Sequence, residues 1–65
     1  MNKIEFFESE IFQYILGQYG KSTVQKIKSD KNKSIVTKVV ESACKQNDSI
    51  EHAANKVVAM LRIHP

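Results

Sequence analysis

The apolar residues of this chain repeat with the spacing of amphipathic α-helices, and the first such segment has an unusually broad apolar face. The segment predicts a helix over about residues 3–18, with Gly20 as a left-handed stop. At 100° per residue its apolar positions cover an arc of roughly 200°, about twice the usual stripe. One neighbouring helix cannot cover that arc, so we expect part of it to be left for a partner. The arc consists of Ile4, Phe7, Ile11, Phe12, Tyr14, Ile15, Leu16 and Tyr19.

Two residues of this helix depart from the pattern. Glu8 falls inside the arc, where a carboxylate either reaches outward to solvent or meets a cation across an interface. Phe6 falls outside the arc, among Ser9, Glu10 and Gln13. Because aromatic residues are enriched in protein interfaces, a Phe with such polar neighbours indicates a binding surface.

Three further helical segments follow. A short connecting helix is predicted over about residues 23–28, where only Val24 and Ile27 are suited to burial. The third helix is predicted over about 33–46, with an apolar stripe of Ile35, Val36, Val39, Val40, Ala43 and Cys44. The fourth is predicted over about 49–63, with a stripe of Ile50, Ala53, Ala54, Val57, Val58 and Leu61.

Capping-box spacings mark the starts of three of these helices. In this arrangement a short polar side chain accepts a hydrogen bond from a free backbone N–H of the first turn, and an acid or amide follows three residues later. The chain has three such pairs, namely Asn2 with Glu5, Ser22 with Gln25, and Asp48 with Glu51.

The β-branched run Ser34–Val40 is the main alternative to an all-helical chain, because such residues favour strands. Its apolar spacing is helical and does not alternate, so we assign it to the third helix. The sequence therefore predicts an all-α fold in a single domain over residues 1–65. We expect a small bundle of three main helices with a short connecting helix.

Composition limits how this bundle can be stabilised. A chain of 65 residues buries only about 60% of its unfolded surface. The single cysteine excludes an internal disulfide, so packing must supply the stability, and small domains of this kind often complete their core by association. No apolar run approaches the roughly 18–20 residues of a membrane span, and the first residues are too acidic for a secretion signal. We expect a cytoplasmic protein without membrane contact.

Positive charge is concentrated in the middle of the sequence. Residues 21–38 carry six lysines against one acid, whereas residues 1–20 carry one lysine against three acids. Lysines that neutralise phosphates bind nucleic acids in a salt-sensitive way. The candidate contacts are Lys21, Lys26, Lys28, Lys31, Lys33 and Lys38.

The alternative is that the lysines form only a solvated surface. The chain has one arginine, Arg62, and no aromatic residue lies among the lysines, so base recognition and base stacking lack their usual side chains. A helix-turn-helix over 49–65 leaves too few residues after Val58 for a recognition helix. Placed over 22–46, the motif puts Lys28 at a position that should be apolar. No DNA-binding family is therefore assigned.

Catalytic and metal-binding patterns are also weak. Cys44, His52 and His64 do not have a zinc-site spacing, and Cys44 fits the buried stripe of the third helix. Glu5 and Glu10 lie near a helix N-terminus, where negative charge stabilises the helix dipole. The sequence contains no glycine-rich phosphate loop. We expect neither an enzyme nor a cofactor.

Surplus apolar surface supports the first functional hypothesis, a non-enzymatic regulator or inhibitor that binds another protein and forms a homodimer through its first helix. The alternative for Tyr14 and Tyr19 is that their rings lie at the margin of the core and their hydroxyls lie in water. A DNA-binding accessory protein, using the lysines above, is the second hypothesis. The expected interface residues are Phe6, Phe7, Glu8, Tyr14, Ile15, Tyr19, Met60 and Ile63.

Overall fold

Four α-helices build the protein, as shown by a computed structural model that describes residues 2–61. The described residues contain no strand, so the all-α prediction is confirmed and the strand alternative for Ser34–Val40 is wrong. A 3-10 turn, Asp30–Asn32, joins the second and third helices. The helices are α1 (Lys3–Tyr19), α2 (Lys21–Ile27), α3 (Lys33–Lys45) and α4 (Ile50–Met60).

The start of α1 agrees with the sequence prediction. The Asn2 side-chain Oδ1 accepts a hydrogen bond from the Glu5 backbone N–H at 2.8 Å. This bond satisfies one of the free donors in the first turn. Glu5 also places negative charge where the helix dipole favours it.

Gly20 ends α1 and begins α2. Its N–H donates to the Leu16 carbonyl oxygen at 3.1 Å, and its backbone has φ +92° and ψ 172°. This conformation has positive φ but is extended, so the expected left-handed helical stop is replaced by a sharper, glycine-specific turn. The predicted cap at Ser22 is wrong, because α2 begins at Lys21 and no side chain caps it.

The two glycines of this region are expected to respond oppositely to alanine. Gly20→Ala should lower the free energy of unfolding by about 1–2 kcal/mol, because a side chain strains positive φ. Gly17→Ala should raise it by about 0.5–1 kcal/mol, because Gly17 is helical and an added Cβ meets nothing within 4 Å. Urea denaturation of dilute protein measures both values. Effects of the same sign would contradict the assignment of Gly20 to a positive-φ turn and of Gly17 to regular helix.

A left-handed turn at Asn47 separates α3 from α4. Asn47 has φ +58°, and the Asp48 N–H donates to the Ala43 carbonyl oxygen at 3.0 Å. These are features of a helix-ending Schellman motif. The turn makes Ser49 the cap of α4, since its Oγ accepts from the His52 N–H at 3.1 Å. The predicted cap at Asp48 is therefore wrong by one residue.

The α-helices enclose one apolar cluster. α1 contacts each of the other three helices, and α3 also contacts α4. The fully or almost fully buried side chains of the cluster are Ile11, Ile15, Ile27, Val36, Val40, Ala43, Ala53, Ala54, Val57 and Val58. Cys44 is buried as expected. The predicted stripes of α3 and α4 thus form the core together with one face of α1.

Three residues of the core boundary differ from the sequence prediction. Leu16 and Ile35, both assigned to buried stripes, are 49% and 41% exposed. Thr23 of α2 is buried, and its Oγ1 donates to the Tyr19 carbonyl oxygen at 3.4 Å. This bond satisfies the hydroxyl, so a polar residue is tolerated in the interior.

Candidate interaction surfaces

The residues predicted to form an interface are divided by the structure between surface and core. Phe6 and Met60 are each 59% exposed, although they lie on different helices. Ile15 is fully buried, so its assignment to the interface is wrong. Phe7, Glu8, Tyr14 and Tyr19 are half-buried, and Ile63 lies outside the described residues.

The protein's own helices cover most of the broad apolar arc of α1. Within that arc only Leu16 is classed as exposed, because α1 packs against three helices and not one. The wide arc therefore reflects a central helix in the bundle. The part of the arc that was expected to be left for a partner is therefore reduced to Leu16.

Tyr14 and Tyr19 lie at the margin between α1 and α4. The Tyr19 hydroxyl donates to Asn55 Oδ1 at 2.8 Å. Burial raises the pKa of Tyr14, with smaller contributions from the Glu51 carboxylate and from Tyr19. Both rings pack against the core cluster, as in the alternative stated for them above, although the Tyr19 hydroxyl binds Asn55.

The solvent-facing side of α1 carries a separate line of residues, which we call the outer seam: Phe6, Ser9, Gln13 and Leu16. Their intervals of three, four and three residues are those of one helix face. At 100° per residue, the mean direction of the seam lies about 180° from Ile11, which is fully buried. The two ends of the seam are therefore large apolar side chains in contact with water. The sequence pattern identified Phe6 but missed Leu16.

A groove of about 360 Å³ runs along the outer seam on the side of α2. Its walls include Ser9, Gln13 and Leu16 from the seam, and Val24 and Lys28 from α2. The floor includes the Phe12 ring, and the Lys28 ammonium lies 5.5 Å from the centre of that ring. This distance is within the range of a cation–π contact.

The six candidate lysines are all exposed, but the structure does not bring all of them together. Lys28 and Lys33 line one hollow of about 340 Å³, together with Glu8 and Asp30. Lys38 lines a different groove on α3, beside Glu41 and Lys45. In the part of the chain that the structure describes, the ion pairs involve only Asp48. The lysines thus form a dispersed positive surface with acids inside it.

Asp48, His52 and Lys56 form a small polar cluster at the start of α4. Asp48 Oδ2 lies 3.4 Å from both His52 Nδ1 and Lys56 Nζ. His52 is largely exposed, which agrees with its predicted place on the polar side. Within residues 2–61 no three His, Cys, Asp or Glu side chains are placed to hold a metal ion.

The fold and these surfaces describe a small all-α protein whose central helix exposes two large apolar side chains, Phe6 and Leu16. Comparisons with protein-family models, curated proteins and solved structures found no match to the chain. None of the helices between residues 2 and 61 has the length and apolar character needed for a bilayer crossing.

Proposed function

We propose that this chain is a non-enzymatic, cytoplasmic protein-binding module that forms a homodimer through α1 and regulates or inhibits a partner protein. The exposed Phe6 carries this proposal. Phe6 is 59% exposed on the helix face opposite the core, and Leu16 extends the same face. Aromatic side chains, Phe among them, are enriched in protein interfaces.

Two further observations support a binding role. The groove along the outer seam exposes the apolar residues Phe12, Leu16 and Val24 between polar and charged ones, and helix-binding grooves likewise present apolar side chains to a partner. The chain is also small enough that association would add substantially to its buried surface.

Sedimentation equilibrium tests this proposal through a Phe6→Ser variant. A dimer loses two Phe6 contacts, each contributing about 1.5 kcal/mol, so the dissociation constant should rise roughly 100-fold. The matched control is Ile35→Ser, which removes a 41% exposed side chain from α3 and should leave the dissociation constant unchanged. A wild-type chain that remains monomeric at roughly 1 mM would contradict self-association. A dissociation constant of that size corresponds to only about 4 kcal/mol of association free energy.

Nucleic acid binding is the second candidate, favoured by the exposure of all six lysines between residues 21 and 38. We expect binding to duplex DNA to weaken with salt, with a log–log slope of about −0.9 for each phosphate neutralised. The double variant Lys28→Gln, Lys33→Gln removes two positive charges from the same hollow. It should make the slope less negative by about 2. Fluorescence anisotropy measures the slope, with Lys56→Gln on α4 as control. Absence of binding at low salt would exclude this candidate.

A further inference from the structure

We infer that the connection between α2 and α3, residues 28–33, contacts the phosphates of duplex DNA and does so without regard to base sequence. We call this segment the lysine edge, after Lys28, Lys31 and Lys33. The inference rests on the nucleic-acid candidate of the preceding subsection. It specifies the contacting residues and the mode of binding.

Positive charge is densest at the lysine edge. Its six residues include three lysines and one acid, Asp30, and all three lysines are exposed. Lys28 and Lys33 line the same hollow of about 340 Å³, and Lys31 lies in the 3-10 turn between them. Three lysines on one short connection can therefore reach the same stretch of phosphates.

The other lysines lie away from this edge. Lys21 is seven residues before Lys28, which separates the two by about 10 Å along the axis of α2. Lys26 is about 200° around the same helix from Lys28 and so lies on nearly the opposite side. Lys38 and Lys45 line a groove that shares no residue with the hollow of the lysine edge. The dispersed positive surface thus has one local concentration.

The backbone of the lysine edge is fixed by its own hydrogen bonds. The Asn32 side-chain amide donates to the Lys26 carbonyl oxygen at 2.9 Å, and the Asn32 backbone N–H donates to the Ser29 carbonyl oxygen at 3.1 Å. Binding therefore has to order lysine side chains but not the chain that carries them. A surface organised in advance in this way loses less entropy on association.

The side chains that read bases are absent or engaged at this edge. Base recognition relies mainly on Arg, Asn and Gln, and residues 2–61 contain no arginine. Asn32 is the one amide side chain of the edge, and its amide is already bonded to the backbone at Lys26. Phe12 is half-buried with the Lys28 ammonium 5.5 Å from its ring centre, so it does not offer the open aromatic face on which bases stack. The remaining contacts are to phosphates, which carry no direct sequence information.

Two carboxylates limit the affinity. Asp30 belongs to the lysine edge, and Glu8 of α1 lines the same hollow as Lys28 and Lys33. Both repel phosphates that approach the lysines. We therefore expect a dissociation constant in the range of sequence-independent DNA binding, about 10⁻⁴–10⁻⁶ M.

Two triple variants with the same loss of charge test the inference. The edge variant carries Lys28→Gln, Lys31→Gln and Lys33→Gln, and the matched variant carries Lys21→Gln, Lys38→Gln and Lys45→Gln. Fluorescence anisotropy with two labelled duplexes of unrelated sequence measures binding between roughly 50 and 200 mM salt. The log–log salt slope of the edge variant should become less negative by about 2.7, and that of the matched variant by less than about 1. The wild type should bind both duplexes with affinities equal to within about threefold.

A gain of binding provides a result that unfolding of a variant cannot produce. Asp30→Asn removes the acid of the lysine edge and should tighten binding about threefold to fivefold at low salt, since one unit charge near a phosphate is removed. Glu41→Gln makes the same change of charge on α3, beside Lys38, and should alter the affinity by less than about twofold. Circular dichroism shows whether each variant is folded.

The contrary outcomes are distinguishable. Equal changes of slope in the two triple variants would overturn the inference, because binding would then depend on net charge and not on the edge. A preference of about tenfold or more for one duplex would show base recognition and overturn the proposed mode. Unchanged binding in Asp30→Asn would show that phosphates do not approach the edge. A wild type that does not bind at low salt would instead exclude the nucleic-acid candidate itself.

Discussion

Ile15→Ala is expected to lower the free energy of unfolding by about 4 kcal/mol, as judged from other buried Ile-to-Ala changes. Ile15 is fully buried in the centre of the helix that contacts all the others. The surrounding side chains belong to several helices and cannot all move into the space that alanine leaves. A chain of this length has a total stability of roughly 3–10 kcal/mol, so this variant should be partly unfolded at room temperature.

Circular dichroism with urea titration measures this loss. Gln18→Ala, on the exposed surface of the same helix, should change the free energy of unfolding by less than about 0.5 kcal/mol. A cost below about 1 kcal/mol for Ile15→Ala would contradict its central place in the core. Substitution of Ile15 would therefore not report on dimerisation, because it removes the fold before it removes an interface.

Ala54→Leu is expected to destabilise the protein by about 3 kcal/mol, through overpacking. Ala54 is fully buried on α4, and its neighbours Ala53 and Val57 are also without exposure. Three additional carbon atoms at this position require α4 to move away from the helices that it contacts. The added apolar area does not offset this displacement, because Ala54 has no exposed surface and protein interiors are close-packed.

The exposed alanine of the same helix provides the control for this variant. Ala59→Leu adds the same atoms towards solvent and should change the free energy of unfolding by less than about 0.5 kcal/mol. Thermal unfolding of both variants gives the comparison directly. Equal effects at positions 54 and 59 would show that the buried alanines do not set the distance between the helices.

The stability and binding predictions concern opposite faces of α1. Ile11 and Ile15 face the core, whereas Phe6 and Leu16 face solvent. Substitutions on the outer face should therefore weaken association while leaving the midpoint of monomer unfolding almost unchanged. This separation makes the proposed function measurable apart from the fold.

The helices could be predicted because their signals are local. Apolar spacing gave the extents of α1 and α3 to within one residue, and the Asn2 cap was recognised from its distance to Glu5. The caps of α2 and α4 were not predicted correctly, because Gly20 and Asn47 adopt positive φ and shift the helix starts. Pattern alone does not show which of two adjacent polar residues, Asp48 or Ser49, has the required extended backbone.

The interface residues were less predictable, because burial depends on neighbours that are distant in sequence. A wide apolar arc has the same spacing whether three helices of the same chain cover it or a partner does. The structure assigns Ile15 to the core and leaves Leu16 at the surface, although the two residues are adjacent. Phe6 and Met60 were both expected at the surface and are both exposed. For Phe6 the local signal was the set of polar residues around it on the helix face.

The sequence by itself determined that this protein is helical, where its main helices lie and which faces of α3 and α4 are buried, because these properties follow from short-range spacing and capping. Tertiary structure decided that α1 is the central helix, that most of its broad arc is covered within the chain and that Phe6 and Leu16 remain in solvent. The physical reason is that exposure is a property of how helices pack around one another. Residue spacing within one helix does not contain that information.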